Sequence, residues 1–70
     1  MEIKIKESEN IKTIFYFEST EELWVFFNSN STYVYNNVPK NVVKKLKTSK
    51  EQGKFFYDNI REKFNFRKIV

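Results

Sequence analysis

Five consecutive apolar residues, Leu23-Trp24-Val25-Phe26-Phe27, constrain this chain more than any other feature. Four are β-branched or aromatic formers of extended chain, and the run is too short for a helix, so a strand is predicted. In a strand, Leu23, Val25 and Phe27 point to one face while Trp24 and Phe26 point to the other. A strand apolar on both sides needs cover on both sides. The chain has only 70 residues to supply it. Two helices can cover one face; the other needs a partner chain, the N-terminal segment, the C-terminal tail or a ligand.

The surrounding sequence completes a small sheet. Glu2–Glu7 alternates, with Ile3 and Ile5 on one side, and reads as a short edge strand on which lysines discourage further pairing. Ile11–Phe17 is rich in β-formers. Glu18–Glu22 is a polar turn, Asn28–Ser31 a hairpin loop, and Thr32–Asn36 the next strand, with Tyr33 and Tyr35 on one face. Connections this short give an antiparallel meander.

Pro39 suits a helix start, and Val42, Val43 and Leu46 fall at helical spacing among lysines over 39–47. Ser49 followed by Gln52 fits a capping box and predicts a second helix, running to about Lys63 with Phe56, Tyr57, Ile60 and Phe64 near one stripe. The segment 64–70 alternates weakly and is expected to pack as an extended tail. The expected fold class is α+β: a three- to four-stranded antiparallel meander followed by two short helices packed on one face. Residues 1–70 form one domain, with 1–8 as an extra edge strand.

Cysteine and histidine are both absent. Disulfides, thiolate chemistry, zinc fingers and histidine-based triads are therefore excluded, and no metal or cofactor is expected. The closest acidic pairs, Glu21-Glu22 and Asp58/Glu62, have the spacing of solvated surface charges, so no catalytic residue is assigned and the chain is not expected to be an enzyme. Stability must come from aromatic packing (eight Phe, four Tyr, one Trp), from oligomerisation, or from both. A homo-oligomer is expected, with Trp24, Phe26 and Val34 at its interface. No run approaches the length of a membrane span, and the charged N-terminus is unlike a signal peptide, so a cytoplasmic protein is expected.

Charge is unevenly distributed. Residues 1–38 carry three lysines against six glutamates, a net of −3, whereas residues 39–70 carry ten Lys/Arg against Glu51, Asp58 and Glu62, a net of +7. The basic part is where an anionic partner is expected, unless its lysines merely solvate the helices. Lys47, Lys50 and Lys54 surround the predicted start of the second helix, where backbone N–H groups and Gly53 suit a phosphate; the alternative is a capped helix start. Lys44 adds charge on the preceding helix. Arg61 can grip phosphate bidentately or form an ion pair with Asp58. Tyr33 and Tyr35 either stack on a base, at roughly 1–3 kcal/mol per stack, or pack on the helices with only their hydroxyls wet.

The segment 11–67 resembles the KTSC domain, a module found at the C-terminus of some lysyl-tRNA synthetases and as free-standing bacterial and phage proteins. Ile14 and Tyr16 match its first strand, and Leu23, Val25 and Phe27 its L-x-V-x-F strand. Tyr33-Val34-Tyr35 with Val38-Pro39 matches Y-x-Y-x-x-V-P. Leu46, Ser49 and Gly53 fall on L-x-x-A-x-S-x-G, Phe55-Phe56 and Ile60-Arg61 on an aromatic-Phe-x-x-x-Ile-Arg run, and Phe64 and Phe66 on a terminal aromatic pair. The sequence departs from the pattern at Glu51, where the family has Ser, at Tyr57, where it has Asn, and in the hairpin, where Asn and Ser replace Gly. The resemblance implies a small sheet with two helices and, by association with tRNA synthetases, points toward RNA.

The expected function is non-catalytic binding of a phosphate-bearing ligand. That ligand is RNA, or a small nucleotide held at an oligomer interface and sequestered there, as phage nucleotide sponges do. The alternative is a homo-oligomeric protein-interaction module without a nucleotide ligand.

Overall fold

The computed structural model describes residues 1–6 and 8–70. Its sheet has five antiparallel strands in sequential order: β1 (Glu2–Lys4), β2 (Ile11–Phe17), β3 (Glu22–Phe27), β4 (Thr32–Tyr35) and β5 (Phe66–Lys68). Between β4 and β5 come helix α1 (Lys40–Thr48), the short helix α2 (Gln52–Phe56) and a π-helical turn over Tyr57–Arg61. The antiparallel meander with helices on one face is as the sequence predicts, and the tail adds β5 beside β4. Glu7, the last residue of the expected first strand, lies outside the described residues.

The two faces of β3 separate as its alternation requires. Leu23 and Val25 are fully buried toward the helices, paired across the sheet with Tyr16, Ile14 and Tyr35. Trp24 and Phe26 lie on the opposite, outer face, with Phe15, Phe17 and Val34. A bulge at Lys12 lets Ile11 turn inward as well: Ile11 pairs with Phe27 and Thr13 with Phe26. The core of Ile3, Ile11, Ile14, Tyr16, Leu23, Val25, Tyr35, Val38, Val43, Leu46, Phe56 and Ile60 therefore occupies one layer between sheet and helices. Each fully buried aliphatic or aromatic side chain contributes about 1.5–3 kcal/mol by leaving water.

Polar ties fix the corners. The Tyr16 hydroxyl donates to the Val38 carbonyl at 2.7 Å in the interior, which holds the Val-Pro corner against β2. Asn30 and Asn37 take the left-handed conformation (φ 70° and 60°) at the β3–β4 loop and at the exit of β4. Asparagine tolerates that region, so the Asn/Ser hairpin turns without the family's glycine.

The second helix differs from its expected form. Glu51 occupies the N-cap position, and Ser49 ends α1 with its Oγ accepting from the Glu51 N–H at 3.1 Å. Gln52 is buried instead of closing a capping box. It accepts from the Lys6 N–H (3.0 Å) and donates to the Lys47 carbonyl (3.3 Å), tying the N-terminal segment to both helices. The helix then opens into the π-helical turn after Phe56 and does not continue to Lys63.

Candidate ligand-binding cleft

A cleft of about 730 Å³ opens between the inner face of β4, the β3–β4 loop and the π-helical turn. Its aromatic wall is built by strand alternation. Tyr33 and Tyr35 project inward from β4 and meet Phe66 of β5 at ring-centroid distances of 5.6 and 5.4 Å. Phe27 stands edge-on to Tyr33 at 5.5 Å, and Phe56 fixes Tyr35 from below at 5.3 Å. Offset and edge-on pairs of this kind hold rings in defined orientations.

The π-helical turn supplies the opposite wall. Phe56 and Ile60 are buried in the core. Tyr57 and Arg61, one residue further along, both line the cleft. The Arg61 guanidinium carbon lies 5.0 Å from the centre of the Tyr57 ring, a cation–π contact that orients both groups. Wide π-turns recur at functional sites. Asn10, Asn28, Ser29 and Ser31 provide polar edges, and Glu9 and Glu62 complete the rim.

Two features make the cleft receptive to an oxyanion. Tyr35 is 2% exposed, yet its hydroxyl makes no hydrogen bond among the described residues. No enclosed side-chain polar atom among them lacks a partner, so this hydroxyl opens on the cleft. Burial pushes the Tyr35 phenol up to about 12, partly opposed by the Arg61 charge and reinforced by Tyr33 and Tyr57, so it is a proton donor throughout the neutral range. Arg61, for its part, has no ion pair among the described residues. The expected alternative partner, Asp58, binds Lys54 at 2.6 Å.

Of the residues singled out from sequence for ligand binding, Tyr33, Tyr35 and Arg61 come together here; Lys44, Lys47, Lys50 and Lys54 do not line the cleft. Lys44, Lys47 and Lys50 are exposed elsewhere on the helical layer. The start of α2 around Gly53, the other place singled out for a phosphate, lies apart from the cleft. The helix there has only five residues, and Ser8 lies over Gly53, 3.4 Å from where a β-carbon would stand. Glu51, at the family's serine position, lies with Lys54 at a shallow surface hollow away from the cleft, whereas Tyr57, at the family's asparagine position, lines the cleft itself. Sequence reasoning missed Phe66, Asn10, Asn28, Glu9 and Glu62 as lining residues. An aromatic and an arginine four apart, Tyr57 and Arg61, were a signal that could have located this wall.

On the outer face, Trp24 and Phe26 are half-buried, in edge-on pairs with Phe17 (5.9 Å) and Phe15 (6.1 Å). Val34 is fully buried within the subunit, so it supports these rings and offers no area of its own. Among the described residues, β1 and β5 widen the sheet and leave its outer face uncovered. No helix is long and apolar enough to cross a membrane, and no group of three or more metal-ligating side chains converges among the described residues.

Comparison with known proteins agrees with this geometry. The chain is similar over 93% of its length to a KTSC domain protein from Yersinia pestis of known crystal structure, covering 92% of that chain at 31% identity with a TM-score of 0.86. None of the curated proteins matches it. The family model of the KTSC domain matches residues 7–64, and the chain belongs to the KTSC domain family.

Proposed function

We propose that this protein is a non-catalytic module that binds a phosphate-bearing ligand in the tyrosine cleft. The observation that carries the reading is the Tyr35 hydroxyl, unpartnered among the described residues and open to the cleft, on the same cleft wall as an Arg61 guanidinium that has no carboxylate partner among them. A guanidinium and a phenol donate charge-assisted hydrogen bonds to an anion. The rings of Tyr33, Tyr57 and Phe66 offer faces for a base, and the Asn and Ser side chains offer hydrogen bonds to its edge. Binding without turnover makes sequestration of the ligand its mode of action. Calorimetric titration with a panel of nucleotides and a short single-stranded RNA, at low and high salt, tests the reading. Binding of at least one, weakened in Arg61→Ala, is expected; no binding to any at either salt would remove it.

A second reading has its own observation. Phe15, Phe17, Trp24 and Phe26 form a row of rings on the uncovered side of the sheet. Such a surface suits sheet-on-sheet packing with a second copy of the chain, related by a two-fold axis. The two readings are compatible, because the cleft and the ring row lie on opposite faces of the sheet.

A further inference from the structure

We infer that the cleft is selective for a nucleoside monophosphate over polyphosphates and over RNA; the inference rests on the phosphate-ligand reading above and narrows it. The charge of the cleft carries the argument. Among the described residues, Arg61 is the one cation lining it, whereas Glu9 and Glu62 both contribute carboxylates to its rim. Lysines that could balance more phosphate are elsewhere: Lys54 is held by Asp58 at 2.6 Å, and Lys44, Lys47 and Lys50 line no part of the cleft. One phosphate is matched by Arg61 and the Tyr35 hydroxyl. Each further phosphate in a cleft of this size adds repulsion from the two carboxylates without a compensating cation.

The same carboxylates suit the remainder of such a ligand. Carboxylates accept hydrogen bonds from ribose hydroxyls, as the acidic residue of dinucleotide-binding folds does. A volume of about 730 Å³ encloses a mononucleotide and lies within the range of small-molecule sites. Glu9 and Glu62 are exposed, and their side chains make no hydrogen bond or ion pair among the described residues, so both remain available to a ligand.

Calorimetry with AMP, GMP, CMP and UMP, with the 2′-deoxy and triphosphate counterpart of each, and with a short single-stranded RNA tests this directly. At least one monophosphate should bind. The matching triphosphate and 2′-deoxy forms should each bind about tenfold more weakly. In the double variant Glu9→Gln/Glu62→Gln both gaps should close. A triphosphate or RNA that binds as tightly as the monophosphates, or more so, overturns the selectivity while leaving the phosphate-ligand reading standing. No heat with any of these probes overturns both.

Discussion

The Lys54 ammonium lies 2.6 Å from Asp58 Oδ2, a pairing that takes up the carboxylate three residues before Arg61. Both residues sit on the solvent side of the helical segment. Arg61 turns instead over the Tyr57 ring and into the cleft.

Arg61→Ala should weaken binding of any phosphate-bearing ligand roughly ten- to hundredfold, the worth of a hydrogen bond to a charged group. Because Arg61 is exposed and makes no ion pair among the described residues, the urea midpoint should barely move. Arg61→Lys should recover only part of the affinity, since an ammonium lacks the planar fork. Calorimetry and urea denaturation of both variants check the two halves of this expectation.

Tyr35 makes stability depend on alkaline pH. Its phenol is raised to about 12 in the folded protein by burial, against an ordinary value of about 10 in the unfolded chain. The folded state therefore holds this proton more tightly. The stability linked to it is present in full below pH ~10 and is lost as pH rises through about 12. Urea midpoints should fall between pH 9 and pH 11, and less steeply in Tyr35→Phe. A Tyr35 ring signal that titrates near pH 10 by NMR contradicts the assignment.

Gly53→Ala distinguishes a packed helix start from a phosphate cradle. An added β-carbon would meet Ser8 Oγ at 3.4 Å and Ser8 Cβ at 3.6 Å, ordinary contact distances. Alanine also favours helix over glycine by up to about 1 kcal/mol. The variant should be as stable as the parent or slightly more so, and should bind phosphate ligands unchanged. Lost affinity would return the ligand to the start of α2.

The outer ring row gives an oligomerisation test. If a second copy covers it, Phe26→Glu and Trp24→Ala should convert a dimer to a monomer in sedimentation velocity, and Lys44→Glu should not. A parent chain that stays monomeric at high micromolar concentration excludes this role for the face.

Much of the sheet could be read from alternation alone. Leu23, Val25 and Phe27 face the helices and Trp24 and Phe26 face away because side-chain period in a strand is fixed by the backbone. The cleft was only partly legible. Tyr33, Tyr35 and Arg61 carried their chemistry in their types, but the lysines of the +7 region proved to be a separate surface. Charge counted along a chain says nothing of which side of a helix bears it. The π-helical turn rotates Tyr57 and Arg61 into the cleft, and no propensity or periodicity marks such a turn. Phe66 joined the wall only because β5 pairs with β4, a long-range event set by Asn36–Asn65 and Tyr35–Phe66 pairing. The Ser49–Gln52 capping pattern misled because Gln52 was recruited to the Lys6 and Lys47 backbone.

The most direct test is a two-dimensional NMR titration of the isotope-labelled protein with AMP and, separately, with a short single-stranded RNA. The ligand should shift the signals of Tyr33, Tyr35, Tyr57, Arg61 and Asn28 together, leaving those of Lys44, Lys47 and Lys50 in place. Shifts confined to the lysine surface of α1, or none with either probe, would contradict the assignment of the tyrosine cleft as the binding site.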